Sequence, residues 1–210
     1  MKTLEKVLTV KDLEKFYDDL AGRAGTNWQK SMYRSPHQIN RFNDTVAYLQ
    51  SLDLAGKEVL ELGSANGLMT QHISKLAGHV DAVEISSVAI EHSPKLENVT
   101  YFQADVTNFL ETCNKHYAVV TATEVLEHVL DFEKTLKLCF EHGDLVVVSM
   151  PISEEINPLG AFDATKHGKE TRVGDATGHL RIISAEELKA KFSVVDFYWN
   201  NGISVVVAGK

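Results

Sequence analysis

Cysteine is scarce in this chain, and positive charge is in deficit. Two cysteines, Cys113 and Cys139, occur in 210 residues. Their spacing fits no metal motif, so they are expected to act as small buried hydrophobes. Lysine and arginine number 21 against 29 aspartates and glutamates, a net charge of −8. Nucleic acid and anionic membranes are bound through basic surface, so this balance disfavours both as general partners. No apolar run is long enough to cross a bilayer, and residues 1–5 lack the apolar core of a signal peptide. The expectation is a cytoplasmic protein with no membrane partner. Internal repeats and low-complexity tracts are absent too. What remains is an ordinary globular composition, 44% apolar and 24% charged, in a chain long enough for one sizeable domain with its own core.

Periodicity divides the chain in two. Residues 11–20 place Leu13, Phe16, Tyr17 and Leu20 at helical spacing. A glycine-containing polar loop follows to residue 35. Ser35 and Pro36 then open a second helix with a stripe of Ile39, Phe42, Val46, Leu49 and Leu52. From residue 58 short apolar runs alternate with helical segments. Strands are expected at 59–62, 80–84, 99–103, 118–122 and 145–150, and helical segments at 68–76, 87–92, 106–111 and 132–140. Continuous apolar strands of this kind suit a parallel sheet buried on both faces. A helix beginning after Ser184 has a capping box with Glu187. Strands at 194–199 and 203–208 flank Asn200-Asn201-Gly202, a tight-turn signal for an antiparallel hairpin. Residues 151–178 form a long polar stretch after the fifth strand, at the sheet end where such folds bind ligands.

The chemistry concentrates in Val59-Leu60-Glu61-Leu62-Gly63-Ser64-Ala65-Asn66-Gly67. A buried strand that turns sharply into a helix leaves backbone N–H groups facing outward, which makes a nucleotide-sized ligand site. Glu84 ends the second strand about twenty residues on, where an acid accepts hydrogen bonds from both ribose hydroxyls. Asp105 ends the third strand and is equally suited to cap the following turn. Glu61, Glu84 and Asp105 are expected to meet in one pocket.

This order of elements and these strings resemble the class I S-adenosylmethionine-dependent methyltransferases over roughly residues 36–210. Glu124-Val125-Leu126-Glu127-His128-Val129 and Gly178-His179-Leu180-Arg181 are similar to strings in the small-molecule branch, including ubiquinone-pathway and sugar methyltransferases. The resemblance implies a Rossmann-like α/β fold, a seven-stranded, mostly parallel, doubly wound sheet with an antiparallel C-terminal strand. It also implies an N-terminal helical lid over residues 1–35 and a methyltransferase domain over 36–210, one globular unit overall. The implied cofactor is S-adenosyl-L-methionine, and the implied reaction is methyl transfer to an oxygen or nitrogen of a small-molecule acceptor. Cofactor contacts fall on Arg41, Glu61, Gly63, Ser64, Ala65, Gly67, Glu84, Ile85, Asp105, Val106, Thr123 and Glu124. Within that set the resemblance has Arg41 meet the cofactor's carboxylate and Asp105 its adenine amino group. His128 and His179 are the candidate general bases. Trp28, Tyr33, Arg34, His37 and Arg181 are the candidate acceptor contacts.

Two departures bear on alternatives. The family pattern is acid-x-Gly-x-Gly-x-Gly, and its middle glycine is Ala65 here. That alanine, with Glu61 beside the turn, suits a cationic sulfonium better than the pyrophosphate of a nicotinamide dinucleotide. Glu124-x-x-Glu127-His128 also resembles a metal-ligating string of RNA 3′-end methyltransferases, which need a further histidine downstream, a place His179 could fill. Metal-free relatives carry the string as well, and no metal is expected. An RNA-directed enzyme, a non-catalytic cofactor-binding or complex-forming domain and a nicotinamide-dependent oxidoreductase are the competing readings.

Overall fold

A computed structural model of the chain describes residues 9–24, 36–151, 180, 183–200 and 203–209. Trp28, Tyr33, Arg34, His179 and Arg181 lie outside the described residues, as do residues 152–179. Of His37 the helical backbone alone is described.

Two helices precede the sheet. Helix α1 (Val10–Ala24) begins with a reciprocal cap. The Thr9 amide donates to Asp12 Oδ2 at 3.0 Å, and the Asp12 amide donates to Thr9 Oγ1 at 3.3 Å. Helix α2 (Pro36–Ser51) starts on proline, whose missing N–H costs nothing in a first turn. The alternating region then runs β1 (Glu58–Leu62), α3 (Leu68–Ile73), β2 (His79–Glu84), α4 (Ser87–Glu91), β3 (Val99–Gln103), α5 (Val106–Thr112), β4 (Tyr117–Thr123), α6 (Phe132–His142) and β5 (Gly143–Ser149). Helix α7 (Ala185–Lys191) and strands β6 (Val194–Asn200) and β7 (Ile203–Gly209) complete it. Helix α3 is shorter than the apolar pattern implied, because residues 74–76 leave the helix as a turn.

The strands lie in the order β3-β2-β1-β4-β5-β7-β6. Strands β1 to β5 pair in parallel, while β7 pairs antiparallel with β5 and with β6. The chain moves outward from β1 to β3, then returns to the other side of β1 for β4. That reversal opens a crevice at the carboxyl ends of β1 and β4.

Period-two alternation splits the residues of β1 to β5 between two cores. Leu60, Leu62, Val83, Val120, Ala122, Val146 and Val148 pack with Leu110, Leu136 and Cys139 from α5 and α6. Val59, Val80, Ala82, Val119 and Val147 pack on the other face with Tyr48, Leu49, Met69 and Ile73. Burial on both faces explains why the strands read as continuous apolar runs. No helix among the described residues is long and apolar enough to cross a membrane.

Candidate active site

The turn after β1 is built on left-handed backbone. Gly63 has φ 70° and Gly67 φ 77°, conformations that cost side-chain-bearing residues energy. A Cβ on Gly63 would lie 2.4 Å from Val125 Cγ2, and one on Gly67 would lie 2.8 Å from Tyr101 Oη. Both glycines are therefore fixed by space as well as by dihedral angle. Ala65 between them is also left-handed, with φ 47°. A residue other than glycine pays about 1–2 kcal/mol there. Two contacts offset it: the Ala65 amide donates to Glu84 Oε2 at 2.8 Å, and the methyl packs on Ala21 and Ala89.

Glu84 is thus the clamp of this loop. Its Oε1 accepts from the Ser86 amide at 2.9 Å, so both carboxylate oxygens hold backbone. Burial pushes its pKa up, against the lowering pull of the Ser86, Ala65 and Ile85 amides. Asp105 caps α5, accepting from the Asn108 amide at 3.0 Å, and lies half-buried on the same cleft.

Glu61 sits behind the loop, 3% exposed. Burial pushes its carboxyl up to about 7; the neighbouring Thr70 hydroxyl lowers it in part and the Glu84 charge adds to the rise. Its Oε2 is buried without a hydrogen-bond partner among the described residues, as are Ser64 Oγ, Thr70 Oγ1, Tyr101 Oη and Thr123 Oγ1. Buried polar atoms are normally satisfied, so such a group of them marks this end of the sheet as unusual.

Arg41 reaches in from α2 and is 2% exposed. Its Nε donates to Glu124 Oε1 at 2.9 Å and a terminal nitrogen donates to Oε2 at 2.7 Å, a bidentate pair. Ser149 adds a third hold: its hydroxyl donates to Glu124 Oε1 at 3.2 Å and its carbonyl accepts from the Glu124 amide at 2.8 Å. Glu124 needs this support, because its φ is 56°. Arg41, read from the sequence as a partner for a ligand carboxylate, spends its fork here on a carboxylate of its own chain.

Residues 126–128 form a turn rather than a helix. The turn brings His128 Nε2 to 3.7 Å from Glu127 Oε1, although adjacent residues on a helix would diverge. His128 also meets Tyr17 of α1 edge to face, with ring centroids 6.0 Å apart.

One cavity of about 110 Å³, open to solvent, gathers these parts. Gly63, Ala65, Glu84, Ile85, Asp105, Val106, Glu124 and His128 line it. Leu13, Tyr17, Val125 and Val129 do so as well. Glu61, Ser64, Gly67, Thr123 and Arg41 are not among the residues that line it. Leu13 and Tyr17 belong to the apolar stripe of the first helix, and nothing in their spacing distinguished a cavity wall from core. Among the described residues no three His, Cys, Asp or Glu side chains gather as a metal site.

Comparison with known proteins agrees with this architecture. The ubiquinone biosynthesis O-methyltransferase of Nitrosospira multiformis is 31% identical over 137 residues, 62% of this chain and 55% of that protein. That of Pseudomonas fluorescens is 28% identical over 118 residues, 53% of this chain and 50% of its own length. The chain spans about half the length of the curated relatives it matches. A DhpI-SAM-HEP complex superimposes with a TM-score of 0.72 at 19% identity, covering 98% of this chain and 99% of that one. Magnesium protoporphyrin IX methyltransferase from Synechocystis PCC 6803 with bound SAM gives 0.66 at 12% identity, covering 98% and 97%. At these identities the likeness is one of fold. A family model described as a methyltransferase domain matches residues 33–198. With most of its length matched and its sheet, switch point and glycine turn in place, the chain belongs to the methyltransferase-domain family and has the Rossmann-like fold of the class I members.

Proposed function

We propose that this chain transfers a methyl group from S-adenosyl-L-methionine to an oxygen or nitrogen of a small-molecule acceptor. The supporting observation is the composition of the cavity wall. Three carboxylates line it, Glu84, Asp105 and Glu124, and among the described residues no lysine or arginine does. Such a wall suits a ligand that is cationic and rich in donors: a sulfonium, two ribose hydroxyls and an amino group. It opposes the pyrophosphate of a dinucleotide, which needs cationic or N–H-rich surroundings.

When bound, the sulfonium supplies an already activated methyl group. The work left to the protein is alignment and exclusion of water. Glu84 holds the ribose edge while clamping the Ala65 loop. Asp105 and the Val106 amide take the adenine edge. Arg41 serves the cofactor through Glu124, whose carboxylate it fixes in the wall. His128 takes the proton of an acceptor hydroxyl, or keeps an acceptor amine in its free-base form. Helix α1 is the described part of an N-terminal lid.

Calorimetry with S-adenosylhomocysteine tests the reading. Wild type should bind it, and Glu84→Ala should weaken binding about ten- to hundredfold, the worth of one or two charge-assisted hydrogen bonds. Thermal stabilisation by NAD with none from S-adenosylhomocysteine would overturn the proposal.

A further inference from the structure

Helix α1 lies outside the sheet, yet it supplies two residues of the cavity wall, Leu13 and Tyr17. Its seat is specific. Asp18 Oδ1 accepts from Ser86 Oγ at 2.7 Å and from the Val88 amide at 3.4 Å, at the start of α4. Ala21 and Ala89, each 1% exposed, bring the two helices together, with Ala65 of the glycine turn packed against both. Gln103 Nε2 donates to Glu14 Oε1 at 3.2 Å, tying α1 to the end of β3. These contacts fix the rotation of the helix about its axis, and with it the direction of Tyr17, one residue before Asp18.

The Tyr17 ring stands at 87° to the His128 ring, at a centroid distance inside the range of favourable edge-to-face pairs. Phe16 supports it from behind, 5.1 Å away at 85°. His128 has Glu127 Oε1 at 3.7 Å as a further neighbour. Both contacts constrain an imidazole that sits on a turn, four residues after the left-handed Glu124.

We infer that Tyr17 is a positioning residue for His128, so that seating the N-terminal helix and orienting the candidate base are one event. The inference rests on His128 acting at the acceptor, as proposed above. It adds a condition on that role: the base has its working orientation when α1 is docked on α4. The contact is made ring to ring, and phenylalanine retains the ring.

The test is NMR of the full chain with labelled histidine, in the presence of S-adenosylhomocysteine, with the His128 signal identified through His128→Gln. A perpendicular ring at this distance imposes a ring-current shift on the His128 C–H signals. Wild type and Tyr17→Phe should both display it, and Asp18→Ala, which keeps the ring but loosens the helix, should weaken it. Tyr17→Leu removes the ring current whatever the imidazole does, so its readout is the relaxation of the His128 ring signals, which should report a more mobile imidazole than in wild type and Tyr17→Phe. A full shift in Asp18→Ala, or His128 relaxation in Tyr17→Leu unchanged from wild type, overturns the inference. Failure of wild type to bind S-adenosylhomocysteine counts instead against the proposed function, so the two failures are separable.

Discussion

Buried carboxylates occur at both ends of this sheet, in opposite circumstances. Toward the amino ends, Asp81 is 2% exposed and fully engaged. It accepts from Tyr117 Oη at 2.8 Å and from Lys115 Nζ at 2.8 Å, and His79 Nε2 lies 3.1 Å away. Burial alone would raise its pKa, but the Lys115 and Tyr117 hydrogen bonds and the Lys115 charge hold it below the usual range. At the carboxyl ends, Glu61 and Glu84 are held above that range, chiefly by burial. Both non-glycine residues with left-handed backbone among the described residues, Ala65 and Glu124, are at this end as well. The amino end is polar structure that has been satisfied internally. Among the described residues the carboxyl end holds Glu61 Oε2 and several hydroxyls buried without a hydrogen-bond partner, together with both strained residues, a combination characteristic of ligand sites.

The sharpest way to break this contrast is at Arg41. Removing a buried ion-pair partner leaves a charge without compensation, so Arg41→Ala should cost about 3–5 kcal/mol in urea unfolding. Arg41→Lys should recover part of it, because an ammonium cannot reproduce the bidentate contact. Next comes Glu61. Its carboxyl holds its proton up to about pH 7 in the fold but loses it near 4.5 when unfolded. Between those values the native state binds more protons, so stability falls as pH rises, on the order of 3 kcal/mol across the window. Glu61→Gln should flatten the wild-type profile by that amount, measured by denaturation at about pH 5 and pH 8.

At the other end, Asp81→Ala should cost about 2–3 kcal/mol by orphaning Tyr117 and freeing Lys115, with S-adenosylhomocysteine affinity unchanged. A loss of affinity there would remove the distinction between the two ends. The smallest effect is expected at Ala65. Ala65→Gly relieves left-handed strain, but gives up a packed methyl and adds freedom to the unfolded chain, so stability should move by less than about 0.5 kcal/mol.

How much of the site was legible depends on how local each signal is. Gly63 and Gly67 announce a turn because few other residues take that backbone. Glu84 and Asp105 are readable as acids closing apolar strands, and both stand in the cavity wall. Asp105 also kept its alternative, since it caps α5 at the same time. Glu61 shares the same pattern but not the same place, because its β1 position points it beneath the loop rather than into the cleft. The partner of Arg41 is 83 positions away in the chain, a pairing no spacing rule can supply. Tyr17 and Leu13 looked like core for the same reason: helical periodicity reports which face is covered, not what covers it.

The order of strands and helices, the two-faced burial of the sheet and the site of the sharp turn after β1 were all determined by the sequence itself. They follow from residue-level rules of periodicity, dihedral preference and capping, which act within a few residues. Tertiary structure alone decided which acids are spent and which are held in reserve, that Arg41 closes on Glu124, and that a helix from the N-terminal segment supplies a wall of the cavity. Those outcomes depend on distances between segments far apart in the chain. Burial sets the electrostatic cost of each charge only once those segments have met.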